Sequence, residues 1–174
     1  MSMIISLIGY RGTGKSTVGR IIAERLSLEF QDADSILVAR EKMTIASIFE
    51  SRGENSFRDL ESSIASELMT RQEAVIAWGG GIILRQENRL NIKRSNLTVW
   101  LSASAEVLAK RILDDRQSLD NRPALSTLLP LEEIQMLLQR REPLYRDTAD
   151  WTISTDTETP TEIAESIINH LKNK

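Results

Sequence analysis

The sequence predicts an α/β fold, a three-layer sandwich with a five-stranded parallel sheet between helices. Three observations predict it. Short apolar runs of strand length alternate along the chain with longer segments of helical period. The first of these runs passes directly into a glycine-rich turn and then a helix. Only one stretch, "LDDRQSLDNRPALSTLLP" at about 113–130, breaks the alternation, and it has the length and polarity of a lid.

Taken in order, "MIISLIG" (3–9) is the first strand, and the helix after it runs from about Lys15 to Leu26 with Val18, Ile21, Ile22 and Leu26 on one stripe. A shorter strand candidate, "LEFQDAD" (28–34), comes next. "TIASIFESRG" reads as a short helix starting at Thr44 and stopping at Gly53, and Phe57, Leu60, Ile64 and Leu68 give the following segment the same period. "AVIAW" (74–78), "LTVWL" (97–101) and "WTIS" (151–154) supply three further strands, and a last helix spans about Pro160 to Asn173 with Ile163, Ile167, Ile168 and Leu171 inward. The whole of 1–174 is one domain, with a substrate-binding region at about 32–61.

Composition narrows the function. A net charge of −3 gives no broad attraction for nucleic acid, so an anionic ligand is met by locally placed arginines and lysines. With no cysteine there is neither a disulfide framework nor a thiolate metal site. No signal pattern and no membrane-length apolar run are present, so the expectation is a cytoplasmic protein with no membrane partner, monomeric by default.

The turn "GYRGTGKST" matches G-x-x-x-x-G-K-[ST] in its confirming context of strand before and helix after. Its backbone N–H groups cradle a polyphosphate, Lys15 reaches the outer phosphates, and the Ser16 hydroxyl ligates Mg²⁺. "QDADSI" places Asp32 and Asp34 two residues apart; in an extended chain both face one site, where one serves the Mg²⁺ shell and the other takes a proton from an attacking hydroxyl. Helix capping or turn formation by the same aspartates is the competing reading. Gly79, Gly80 and Gly81 in "WGGGI" leave a strand end without Cβ atoms, where a ligand can lie against backbone N–H groups, although a tight turn needs one glycine too. Arg58, Arg122, Arg140 and Arg141 suit bidentate pairing with carboxylate or phosphate, yet singly each is more often a solvated surface residue. His170, the only histidine, lies far from every motif, which argues against histidine-based catalysis.

The set "GYRGTGKSTVG", "QDADSI", "GENSFR", "GGG", "NRP" and "REPLYR" resembles the shikimate kinase family, in that family's order across nearly the whole chain. The resemblance implies a P-loop kinase of the nucleoside monophosphate kinase fold. It would phosphorylate the 3-hydroxyl of shikimate with ATP and Mg²⁺ on the way to chorismate and the aromatic amino acids. Carried over by position, Gly12, Thr13, Gly14, Lys15, Ser16 and Thr17 hold the ATP phosphates, and Ser16 with Asp32 holds Mg²⁺. Asp34 engages the shikimate hydroxyls as proton acceptor, Arg58 and Arg141 clamp the carboxylate, and Gly79, Gly80 and Gly81 lie against the ring hydroxyls. Arg122 comes down with the lid on the transferring phosphate, Arg11 and Lys15 neutralise its charge, and Arg111 and the region around Pro160 lie on the adenine side. Two other readings stand beside it: a related small-molecule kinase of gluconate or nucleoside monophosphate type, and a non-catalytic nucleotide-binding module.

Overall fold

The computed structural model describes residues 3–115 and 130–173. Five strands, β1 (Met3–Ile8), β2 (Glu29–Asp32), β3 (Glu73–Ala77), β4 (Leu97–Ser102) and β5 (Trp151–Ser154), pair in parallel in the order β2-β3-β1-β4-β5. The helices are α1 (Lys15–Leu26), α2 (Ala33–Glu41), α3 (Ile45–Leu68), α4 (Gln86–Ile92), α5 (Ala105–Asp114), α6 (Pro130–Thr148) and α7 (Pro160–Lys172), with one 3-10 turn at Ile82–Leu84.

Alternation along the central strand builds both cores. Ile5 and Leu7 turn towards α1 and α7, packing with Val18, Ile22, Ile163 and Ile167. Ile4 and Ile8 turn the other way, joining Ile76, Trp78 and Trp100 beneath α2, α3 and α6. Because both faces are covered, β1 reads as a nearly continuous apolar run rather than an alternating one. The single polar side chain within it, Ser6, is fully buried and accepts a hydrogen bond from Trp78 Nε1 at 2.8 Å. Trp78 and Trp100 are core residues, as their strand-end positions suggested, and Trp151 is half-buried with His170 stacked on it, ring centroids 4.4 Å apart.

The structure bears on three of these expectations. The second strand ends at Asp32, so Asp34 lies in the first turn of α2 and the extended-chain geometry invoked for the pair does not apply. Its cause is local: Asp32 caps α2, its side chain accepting from Ser35 N, and this starts a helix at Ala33 inside the stretch read as strand. The break read at Gly53 is present: the backbone leaves the helical region there at φ 79° and ψ 170°, so α3 is two helical segments across a kink, the first capped by Thr44. Of the expected lid, Leu113 and Asp114 still belong to α5, Asp115 caps it and Pro130 opens α6; residues 116–129, with Arg122, lie outside the described residues.

Gly9 leaves β1 at φ 144°, and a Cβ there would press on the carbonyl oxygen of Leu101 at the end of β4. Gly9→Ala therefore combines backbone strain with a collision against a neighbouring strand. The expected loss is about 2 kcal/mol or more, which lowers Tm by roughly 5 °C in a chain of this length, read by thermal denaturation.

Candidate active site

The strand order sets the site. Because β3 pairs with both β1 and β2, the turns after these three strands stand side by side at the carboxyl edge of the sheet, where open α/β sheets hold their ligands. They carry the glycine-rich loop, the Asp32–Asp34 segment and the glycine triplet.

The loop between β1 and α1 lines one cleft of about 1520 Å³. α1 begins at Gly14 without a side-chain cap, so its first backbone N–H groups are left for an anion. Lys15 Nζ donates to the carbonyls of Gly9 and Tyr10 at 2.9 and 2.8 Å, and Thr13 Oγ1 also donates to Tyr10 O at 2.8 Å. The loop is thus held in a curl around its own lysine. On its far side Ser16 Oγ donates to Asp32 Oδ2 at 2.6 Å, so a hydroxyl and a carboxylate meet at the head of α1. Two hard oxygens beside a phosphate cradle suit Mg²⁺, which takes one or two protein oxygens, substrate phosphate and water rather than a full protein cage. Asp32 caps α2 through Oδ1 and accepts from Ser16 through Oδ2.

A second cleft of about 540 Å³ lies between α3, α6 and the glycine triplet. Arg58 and Arg141 enter it from opposite walls, each only 8 % exposed. Arg58 is held by carboxylates: Nη1 donates to Glu61 Oε2 at 2.7 Å, while Nε and Nη2 reach Glu54 Oε1 at 3.3 and 3.2 Å. Arg141 Nη1 reaches the Gly80 carbonyl at 3.4 Å, and Tyr145, one turn further along α6, donates its hydroxyl to the same oxygen at 2.6 Å. Burial pushes the Tyr145 phenol far above its ordinary range, so it remains a donor at any working pH.

The triplet also has a structural reason. A Cβ at Gly79 would lie 2.5 Å from Asp34 Oδ1, and one at Gly81 would overlap the Arg58 guanidinium. The first and third glycines make room for protein side chains, whereas a Cβ at Gly80 would meet the phosphate loop at an ordinary contact distance, 3.4 Å from Gly9 O. The two clefts share Arg11, Asp34, Ile45 and Gly80. At this junction Arg11 Nε is buried without a hydrogen-bond partner among the described residues, an unmet donor on the wall common to both clefts.

Of the site residues expected from sequence, the structure brings Arg11, Gly12, Gly14, Lys15, Ser16, Thr17, Asp32, Asp34, Arg58, the three glycines and Arg141 onto the walls of these two clefts. Thr13 turns inward and braces the loop. Arg111 lies on neither wall; its guanidinium ties Gly12 O at 3.2 Å to Thr155 Oγ1 at 2.9 Å, fixing the loop to the turn after β5. Glu61 and Tyr145 were not singled out. Glu61 had a signal, since it interrupts the buried stripe of Phe57, Ile64 and Leu68 at helical spacing. Tyr145 had none beyond lying in "REPLYR".

A family model described as Shikimate kinase matches residues 11–172. The shikimate kinase of Thermodesulfovibrio yellowstonii is 40 % identical over 164 residues, covering 94 % of this chain and 92 % of that protein. Among solved structures, shikimate kinase from Acinetobacter baumannii in complex with shikimate superposes with a TM-score of 0.92 at 37 % identity, covering 100 % of this chain and 96 % of that one. A gluconokinase from Sinorhizobium meliloti shares the fold alone, with a TM-score of 0.59 at 18 % identity over 99 % of this chain and 93 % of that one.

Glu61 carries a pH signature. Burial raises its carboxyl above the ordinary value of 4.5, and the opposing pull of Arg58 does not cancel it. Between those two values the folded chain binds the more protons, so this group's contribution to stability is complete below 4.5 and is lost as pH rises through the raised value. Glu61→Gln, which does not titrate, should lack that falling limb. Denaturation midpoints of the two chains, compared across about pH 4 to 8, check it; parallel profiles would contradict the shift.

Proposed function

The chain belongs to the shikimate kinase family, and on that premise we propose a division of labour between its two clefts. The protein catalyses phosphorylation of the 3-hydroxyl of shikimate by ATP, giving shikimate 3-phosphate and ADP, on the route to chorismate and the aromatic amino acids. The observation that carries the residue-level reading is the junction of the clefts at Arg11 and Asp34.

ATP occupies the larger cleft with its phosphates over Gly12 to Thr17. Lys15 exchanges its loop carbonyls for phosphate oxygens, and the uncapped start of α1 receives the same charge. Ser16 and Asp32 would hold Mg²⁺, which supplies charge neutralisation across the phosphate oxygens when bound. Shikimate occupies the smaller cleft, its carboxylate between Arg58 and Arg141 and its hydroxyls over Gly79 to Gly81. Two guanidinium groups on one carboxylate fix which hydroxyl faces the γ-phosphate, and alignment of this kind is the larger part of phosphoryl-transfer catalysis.

Asp34 accepts the proton of the attacking hydroxyl. Its placement in the first turn of α2, against Gly79, puts the carboxylate on the wall common to both clefts. Arg11 follows the phosphoryl group across the junction, offsetting its charge as the bond to the leaving oxygen lengthens. Arg122 enters the reading through the family resemblance alone, as the lid arginine over the same phosphate. Arg111 acts on the adenine side by holding the loop to Thr155. In this reading the one chain supplies every residue of the scheme, Arg122 included, so a monomer suffices as the working unit. Use of ATP for biosynthesis fits the cytoplasm, and no helix among the described residues is long and apolar enough to cross a membrane.

The test is ADP release measured with shikimate, gluconate and nucleoside monophosphates as acceptors, in the wild type and in Asp34→Asn. Shikimate alone should stimulate release, and Asp34→Asn should bind ATP normally while losing about 10²-fold or more in kcat. Near-normal turnover in that variant would sink the role given to Asp34. A second expectation concerns the floor: Gly81→Ala should displace the Arg58 guanidinium and raise KM for shikimate about tenfold, with KM for ATP little changed.

A further inference from the structure

We propose that Tyr10 is a positioning residue for Arg141, its ring forming the seat that aims the guanidinium at the acceptor's carboxylate. The inference rests on the reading of Arg141 as a carboxylate clamp.

The two clamp arginines are held in different ways. Arg58 has the carboxylates of Glu61 and Glu54, which orient it and balance its charge. No carboxylate of the described residues pairs with Arg141, and its hydrogen bond to Gly80 O is long at 3.4 Å, made to an oxygen that Tyr145 already occupies at 2.6 Å. Besides the Tyr145 hydroxyl, which interacts with the same guanidinium, what lies against Arg141 is the face of Tyr10, with Cζ 5.7 Å from the ring centroid, inside the range of cation–π attraction. The ring is itself fixed. It is 3 % exposed and packs with Ala105, Leu108, Ile112 and Ile134 of α5 and α6.

A π face suits this task where a carboxylate does not. It orients the guanidinium without pairing with it, so Arg141 keeps more of its charge for an incoming anion than Arg58, whose carboxylates lie within ion-pair distance. Tyr10 also belongs to the phosphate loop, and its carbonyl accepts from Lys15 Nζ at 2.8 Å. One residue therefore touches the cation of the donor cleft through its backbone and the cation of the acceptor cleft through its ring.

The test is a double-mutant cycle of Tyr10→Leu and Arg141→Ala, with Tyr10→Phe as the variant that retains the ring. Tyr10→Leu should raise KM for shikimate about fivefold and leave KM for ATP within about twofold, and Tyr10→Phe should bring the shikimate value back to within about twofold of wild type. In the Arg141→Ala background Tyr10→Leu should add less than about twofold. Equal changes in both KM values, failure of phenylalanine to restore, or an undiminished effect without Arg141 would each overturn the proposal. If Arg141→Ala leaves KM for shikimate unchanged, the clamp reading itself fails, and the two failures are thereby told apart. Tyr10→Met replaces the leucine variant if that chain does not fold. The wild type gives a readout that needs no Tyr10 variant: the Arg141 Nε–H resonance, assigned with Arg141→Lys, should be shifted upfield by the ring, and an unshifted resonance would overturn the seat.

Discussion

The parallel pairing of β3 with both β1 and β2 is the constraint on which the site depends. Those strands are adjacent only because β1, the first in sequence, is flanked by the third and fourth rather than by the second. Their carboxyl ends then bring three separate turns within contact of one another. The fit leaves little room for side chains: Gly9 lies against Leu101 O, and Gly79 and Gly81 against Asp34 and Arg58. The glycines are the steric condition for strands this close to carry functional groups on every turn.

Within that frame the electrostatics are arranged around buried cations. Lys15 and Arg141 are met by carbonyl oxygens and, for Arg141, a tyrosine ring, while Arg58 is met by glutamates. A carbonyl and a π face hold Arg141 in place without removing its charge, so it remains able to bind an anion. The acidic balance of the whole chain, −3, is no obstacle because the positive potential is local. Glu61 shows the opposite arrangement: a carboxyl whose burial disfavours its charged form while the Arg58 it orients pulls the other way.

The aspartate pair shows how a motif outlives the geometry first assigned to it. Asp32 and Asp34 both reach the donor cleft, but through a cap and a first helical turn rather than through the two-residue repeat of an extended strand. Capping and metal-shell chemistry had stood as rival explanations of Asp32. A carboxylate has two oxygens, and here one faces the Ser35 N–H while the other faces the Ser16 hydroxyl.

Much was legible in the sequence, since strands, amphipathic helices, the phosphate loop and the break at Gly53 are set by local pattern, and pattern is local information. The order of family motifs added the reaction and most of the residues that line the clefts. What the sequence could not supply was anything that depends on which strands become neighbours. The strand order, the glycines' service to Asp34 and Arg58, the tie from Arg111 to Thr155, the pairing of Tyr145 with Gly80 and the seating of Arg141 on Tyr10 all join residues far apart in the chain. Only packing of the layers decides such contacts, because a side chain's partners across a sheet or cleft leave no periodic trace in its own segment.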